Sequence, residues 1–377
     1  MMRQCKLGKW VLALATATAV LAFAGLGMAA DTIKIGVAGA HSGDLAPYGL
    51  PTAKAVELVA KEVNAKGGVL GKQIEVVTQD DQCKPEQATN VATKLVSEQV
   101  VAVVGHICSG ATKAALPIFR DAKIPVMSPS ATATTLTQSG DYPNFFRTIS
   151  YDAVQGKVSA EFALNKLNLK KLAVLHDKGE YGKGYAEFAK DTLEKSGKAK
   201  AILFEGITPG EPDYEAILLK VKQVGADGII FGGYHPEASK LVMGLAKKKM
   251  KLPFISDDGI NGDDIIKIAG KATEGIYASG PEEYSANPVY KNAVEQFKKE
   301  FNAEPGMFFA QGYAAAQAMT NAIAKAGSTD YEALTKVLRS ETVDSSVGKI
   351  KFDAKGDAIG VGFSMYQVKN GKWGIVK

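Results

Sequence analysis

The chain has 377 residues, with 45 Lys and Arg against 40 Asp and Glu, a formal net charge of +5 and 46% hydrophobic residues. That length is too great for one comfortable core and suits two domains of typical size. The near balance of charges gives no footing for nucleic acid or an anionic membrane as partner.

Arg3, Lys6 and Lys9 precede an apolar run from Trp10 to Leu26, and Gly27, Ala29 and Ala30 follow as small residues. This order predicts a secretory signal peptide over 1–30, cut after Ala29 or Ala30. An uncleaved membrane anchor is the alternative, since the run approaches the ~18 to 20 apolar residues that a spanning helix needs. The small residues and the polar, strand-like start at Asp31 favour cleavage, and no cysteine near the cut offers an acylation site. The segment carries three positive charges and no negative one, so its loss takes the net charge from +5 to +2. Cys5 leaves with it, and Cys83 and Cys108 reach an oxidising compartment, where their default fate is one disulfide worth roughly 3 kcal/mol. Two free buried thiols are the alternative, which a thiol titration of the unreduced protein decides.

From there short runs rich in Val and Ile alternate with amphipathic segments, the pattern of strands joined by crossover helices into parallel sheets. Strands are predicted over 33–37, 74–78 and 100–104, with helices over 53–64 and from Pro85 onward. After a connection near 145–152 the rhythm restarts, with strands over 171–175, 202–205, 228–231 and 253–256 and helices over 186–193, 216–224 and 238–249. Helices over 290–301, 309–326 and 331–340 and strands over 348–352 and 362–368 complete the chain, and their pattern alone assigns them to neither half. The run Lys247 to Lys249 reads as a solvated helix end.

Catalytic motifs are missing. Gly36, Gly39 and Gly43 follow the first strand as G-x-x-G-x-x-x-G, which is not the dinucleotide fingerprint. No G-x-S-x-G, G-x-x-x-x-G-K-[ST] or H-E-x-x-H occurs. His41, His106, His176 and His235 each lie near a predicted strand end without a partner at metal-ligand spacing, so they read as turn or cleft residues. No enzyme, metal or cofactor is expected.

What does recur is polar residues at the carboxyl ends of strands, where open parallel sheets bind ligands. Gly105 to Gly110, Ser128 to Thr132, Gly232 to Glu237 and Asp257 to Gly259 are such segments. Helix starts behind Ser109 and Thr132 would aim N–H groups at an anion, and Asp258 is the natural partner of a cation.

The same segments resemble the periplasmic leucine/isoleucine/valine-binding proteins of branched-chain amino acid ABC transporters, over essentially all of the mature length. The matching strings are Ala38-Gly39-Ala40-His41-Ser42-Gly43 with Tyr48-Gly49, Asn64-Ala65-Lys66-Gly67-Gly68, Asp80-Asp81-Gln82-Cys83, Gly105 to Ser109, Pro129 to Thr132, His176-Asp177-Lys178 with Tyr181-Gly182, and Gly232 to Glu237. The resemblance implies an α/β fold of two Rossmann-like lobes with parallel-rich sheets and a three-crossover hinge, the lobes spanning 31–150 plus 282–357 and 151–281 plus 358–377. It implies that Cys83 and Cys108 are linked beside the pocket. It also implies a periplasmic monomer that carries leucine, isoleucine or valine, with alanine and threonine as further candidates, to a membrane permease.

Residue by residue, the resemblance makes Ser109 and the Thr132 N–H donors to the ligand carboxylate, and the Ser130 carbonyl and Thr132 hydroxyl acceptors for its ammonium, with Ala131 between them. Tyr48, Cys108, Tyr181, Tyr234 and Phe308 would wall the side chain. Two departures stand out: Asp258 occupies the place of the family's usual Glu, one methylene longer, and Ser130 stands where Ala is usual.

Overall fold

A computed structural model describes residues 32–376; the expected signal segment, its cut and Cys5 lie outside the described residues. The first run of elements is β1 (Ile33–Gly39), α1 (Ala46–Ala65), β2 (Ile74–Asp80), α2 (Pro85–Ser97), β3 (Ala102–Val104), α3 (Ser109–Asp121), β4 (Val126–Ser128), α4 (Thr135–Gln138) and β5 (Phe145–Arg147). Its five strands form a parallel sheet in the order β2-β1-β3-β4-β5. Alternation along the strands decides which face each residue serves. Ile35, Val37, Ala102 and Val104 pack in a core with α1, whereas Ala38 and Val103 pack on the opposite side with α2 and α3.

The chain then crosses at 148–151 to a second run: α5 (Asp152–Asn165), β6 (Lys171–His176), α6 (Glu180–Lys195), β7 (Lys200–Gly206), α7 (Glu215–Gln223), β8 (Gly228–Gly232), α8 (His235–Lys247), β9 (Phe254–Ser256), α9 (Asp263–Ala269) and β10 (Tyr277–Pro281). A 3-10 turn over Asp258–Ile260 follows β9 directly. Leu172, Val174 and Ile230 meet α5 and α6 on one face, while Ala173, Leu175, Ile229 and Phe231 meet α7 and α8 on the other.

A second crossing at 282–287 leads to α10 (Pro288–Phe301), α11 (Phe309–Ala326), α12 (Tyr331–Ser340) and a small antiparallel sheet of β11 (Val343–Ser345), β12 (Gly348–Phe352) and β13 (Ala358–Ile359). These cover the first sheet: Ala293, Phe309, Leu334 and Phe352 share one core with Ile33, Ile35 and Val37. A third crossing at 360–362 returns the chain to the second sheet as β14 (Phe363–Lys369) and β15 (Lys372–Ile375), antiparallel additions that give the order β15-β14-β10-β9-β8-β6-β7. The fold is therefore α/β with two parallel-rich sheets and three passages between them. No helix among the described residues is long and apolar enough to cross a membrane.

Several elements depart from the sequence expectation. Helix α1 begins at Ala46, before Pro51, because Pro47 sits in its first turn and buried Tyr48 and Thr52 anchor that turn. Helix α6 begins at Glu180 and runs through Gly182 and Gly184. Within the stretch expected as a connection, 145–147 is strand β5, and α5 starts at Asp152. Behind Thr132 stands only the single turn α4, so no long helix aims its amides there.

Candidate ligand site between the two sheets

The carboxyl ends of the parallel strands on both sheets converge. Ile107, Cys108 and Ser109 follow β3, Ser130 to Thr132 follow β4, Tyr234 follows β8 and Asp258 follows β9. Tyr48 comes from the first turn of α1, Tyr181 from that of α6 and Phe308 from the residue before α11, where it holds a left-handed φ of 58°. Tyr48, Cys108, Ser130, Tyr181, Tyr234, Asp258 and Phe308 line one small enclosed cavity, together with Ile107 and Gly259, which sequence reasoning did not single out. Ser109, Ala131 and Thr132 are buried next to Cys108 and Ser130 in sequence but are not part of that lining.

The aromatic wall is continuous across the two halves: ring centroids lie 5.8 Å apart for Tyr48 and Tyr234, 5.4 Å for Tyr181 and Tyr234, and 6.1 Å for Tyr48 and Phe308. Burial raises all three phenols well above their ordinary range, so they stay neutral hydrogen-bonding groups. The Cys83–Cys108 disulfide, with Cα atoms 5.4 Å apart, fixes the Cys108 side of the wall to the loop after β2.

Asp258 supplies the charge. Its Oδ1 accepts from Gln155 Nε2 at 2.8 Å and from the Tyr181 hydroxyl at 2.5 Å, while Oδ2 is buried without a hydrogen-bond partner. Burial pushes its carboxyl up to about 6, partly offset by those two donors. Its neighbour Asp257 rises well above the usual carboxylate range, through burial and then through Asp258, and accepts from the Gly233 and Gly259 amides at 2.8 and 3.1 Å. Asp258 is thus the member of the pair that is ionised at neutral pH and has an oxygen to spare.

On the first-sheet side the Ser109 hydroxyl accepts from the Ala133 N–H at 3.1 Å. The Thr132 hydroxyl is buried and has no partner. Ser130 turns its hydroxyl to the Ile107 carbonyl at 2.8 Å, which gives that hydroxyl an internal partner. Arg147, fully buried, donates to the Ala131 and Ala133 carbonyls at 3.2 and 2.9 Å and so sets the loop around Thr132.

Four polar contacts close the halves on each other. The Tyr48 hydroxyl donates to the Gly259 carbonyl at 2.6 Å and also meets His235 Nδ1. With its one proton given to the carbonyl, the phenol oxygen must accept from the ring, which selects the Nδ1–H tautomer of His235; burial lowers that imidazole's affinity for a second proton. At the mouth, Glu180 Oε1 accepts from Lys113 Nζ at 2.8 Å and from the Thr135 hydroxyl at 3.0 Å. Glu180 and Thr135 border an outer chamber of about 570 Å3 that is also lined by Gln138, Asp152, Lys178, Lys183 and Glu187.

The remaining histidines take structural places. His106 is buried against Asp81, and His41 lies within electrostatic range of His106 on the same sheet edge, so no two histidines meet across the cleft. His176 accepts from the Lys178 N–H at 3.0 Å. Among the described residues no group of three or more His, Cys, Asp or Glu has the geometry to hold a metal ion. What the cavity offers is one spare carboxylate oxygen and the tyrosine hydroxyls, together with the apolar surfaces of Ile107, Cys108 of the disulfide and Phe308. That arrangement suits a small molecule with a cationic head and an apolar tail.

The comparisons agree in kind. The Leu/Ile/Val/Thr/Ala-binding protein of Pseudomonas aeruginosa is 38% identical over 93% of this chain and 94% of its own length. The Leu/Ile/Val-binding protein of Escherichia coli is 35% identical over 92% and 93%. Among solved structures, the leucine-binding protein LivK of Thermotoga maritima superposes with a TM-score of 0.85 at 27% identity, covering 92% of this chain and 98% of that one. The branched-chain amino acid transporter substrate-binding protein LivJ of Streptococcus pneumoniae, in complex with isoleucine, gives 0.81 at 30% identity, covering 92% and 99%. The profile of the periplasmic binding proteins matches residues 32–372, and the chain belongs to that family.

Proposed function

We propose that this protein binds a branched-chain or other small aliphatic L-amino acid between its two halves and delivers it, as a periplasmic monomer, to the permease of an ABC importer, without chemical turnover. The observation that carries the reading is the presence, in the lining of one small cavity, of Asp258 with its spare oxygen and of the apolar residues Ile107, Cys108 and Phe308. In this reading Asp258, the Thr132 hydroxyl and the Ser130 carbonyl receive the α-ammonium, Ser109 and the Thr132 N–H hold the carboxylate, Ala131 carries the loop between them, and Tyr48, Cys108, Tyr181, Tyr234 and Phe308 enclose the side chain. The lobes that close on it span 31–150 plus 282–357 and 151–281 plus 358–377.

Charge-assisted hydrogen bonds contribute ~1.5 to 3 kcal/mol each. Burying a leucine side chain adds ~2 to 3 kcal/mol. Four or five such bonds with that burial exceed, after the cost of association, the roughly 8 kcal/mol that a micromolar complex needs. Isothermal calorimetry on refolded, ligand-stripped protein is expected to give micromolar or tighter binding for at least one of leucine, isoleucine, valine, alanine and threonine; no heat from any of the five would sink the ligand class.

Tyr48 gives a second test, because its hydroxyl joins the halves through Gly259 and His235. Replacing Tyr48 by Phe keeps the ring and leaves a buried carbonyl without its donor, at a cost of ~1 to 3 kcal/mol to the closed form. Ligand affinity is expected to fall by that amount with dissociation faster, as read by stopped-flow fluorescence; an unchanged dissociation rate would remove the latch role.

A further inference from the structure

The second crossing, 282–287, does more than join the halves: it forms one wall of a separate cavity of about 280 Å3. Glu282, Glu283 and Tyr284 come from that segment, and they face Tyr290 of α10 with Phe308 and Gln311 at the start of α11. The other two crossings reach the same place. From the first, the Thr148 hydroxyl donates to the Gln311 carbonyl at 2.9 Å. From the third, Gly362 lies against Glu282, where a Cβ would stand 2.9 Å from Oε1. Pro281, the last residue of β10, completes the lining from the second sheet, so the cavity spans both halves at the hinge. Opening or closing of the halves must reshape it.

Its chemistry is one-sided. The rings of Tyr284 and Tyr290 stand 6.4 Å apart at 61°, two aromatic surfaces set at a steep angle. Glu283 accepts from the Ser285 hydroxyl at 2.7 Å and has no cation beside it, and Glu282 has neither a hydrogen bond nor an ion pair among the described residues. Lys298, within electrostatic range of Tyr290, is already paired with Glu304 at 2.9 Å, and no lysine or arginine lines the cavity. Carboxylates without a counter-ion beside aromatic faces attract a cation with an organic body. A metal ion matches less well, since among the described residues no group of three or more His, Cys, Asp or Glu can hold one. A free amino acid matches poorly too, because its carboxylate would face both glutamates.

We propose that the hinge cavity binds a small organic cation without an acid group, an alkylammonium or quaternary amine, and that its occupancy tightens amino-acid binding in the cleft. Phe308 makes the connection, because it lines both cavities. It does so from a left-handed φ of 58°, which a bulky residue keeps only where its surroundings hold it. The cavity belongs to the closed arrangement, in which Tyr48 meets Gly259 and Glu180 meets Lys113. An occupant that fits this arrangement better than an open one stabilises closure, and the effect is reciprocal: the amino acid tightens the cation by the same factor. The coupling rests on the amino-acid reading of the cleft; the cation site stands without it.

Choline is the probe, and its neutral isostere 3,3-dimethylbutan-1-ol is the control. In calorimetry on the ligand-stripped full chain, choline is expected to bind with a dissociation constant of about a millimolar or tighter, and the alcohol at least about tenfold more weakly. With leucine saturating, choline affinity is expected to rise about fivefold or more, and saturating choline to raise leucine affinity by the same factor. The double variant Glu282→Gln with Glu283→Gln is expected to lose choline binding and to keep the leucine affinity of wild type measured without choline, whereas Asp258→Ala keeps choline binding. Absence of saturable choline binding to wild type, equal binding of the alcohol, or competition between choline and leucine overturns the proposal, and none of these readings needs a variant. Choline binding that survives in the double variant and disappears in Asp258→Ala places the cation in the cleft and overturns it equally. Choline binding as expected, with no binding of any amino acid, upholds the cation site and brings down the ligand class proposed for the cleft.

Discussion

Replacing Asp258 by Ala is expected to weaken amino-acid binding by about 2 to 5 kcal/mol, because the ligand ammonium would enter a buried cavity without its counter-charge. The side chain is almost wholly buried and keeps one oxygen unpartnered, while Gln155 and Tyr181 hold the other. Calorimetry at about pH 7.5 checks the loss, and an affinity within twofold of wild type would refute the assignment. Asp258→Glu separates charge from architecture: it restores the carboxylate, one methylene longer, and is expected to recover most of the affinity. The pH dependence has a definite sign. The carboxyl of the unliganded site stands at about 6 and a bound ammonium lowers it. Its contribution is therefore full above that value and is lost as pH falls through and below it.

The largest effect on stability is expected at Arg147. Its guanidinium is fully buried, pairs through Nε with Asp357 Oδ1 at 2.5 Å, and spends its remaining donors on the Ala131 and Ala133 carbonyls and the Thr137 hydroxyl. Asp357 also accepts from Thr137 and Gln138 at 3.0 and 2.6 Å. The pair therefore ties β5, the loop carrying Thr132 and the segment before β13 into one charged network. Arg147→Met leaves a buried carboxylate without its cation and is expected to cost about 3 to 5 kcal/mol in urea unfolding. The double variant Arg147→Met with Asp357→Leu removes both charges and is expected to be more stable than the single one. A single variant within about 1 kcal/mol of wild type would show that the pair is not structurally required.

Much of the fold was legible because its strands are apolar on both faces and its helices amphipathic. The helices over 309–326 and 331–340 and the strand over 348–352 occur at the expected residues. Helix α5 was not read, and its burial gives the reason. Gln155, Gly156, Ser159, Ala160, Phe162 and Ala163 are all buried around its circumference, so no polar stripe marks a period. Helix α6 was read as starting six residues late because Gly182 and Gly184 depress helix propensity. Gly182 is needed for another reason: a Cβ there would lie 2.4 Å from the Gly232 carbonyl, so the helix start and β8 can touch only through two glycines.

For the site, polar residues after strands pointed to loops that the two sheets bring together around one cavity, a convergence that only their tertiary arrangement produces. Gln155, which holds Asp258, escaped notice because it sits inside a helix rather than in a loop, and Gly259 because its carbonyl matters rather than its side chain. The pairing of His235 with Tyr48, 187 residues apart, had no local signal at all.

One core joins Ile33 and Val37, near the start of the described chain, to Leu334, Ile350 and Phe352, near its end. A polypeptide emerging from its amino terminus therefore cannot complete this core until almost all of it has been released. The middle stretch, in contrast, holds most strands of the other sheet in consecutive order. The later-numbered half can thus gather first around neighbours close in sequence, while the earlier-numbered one waits for its last segments.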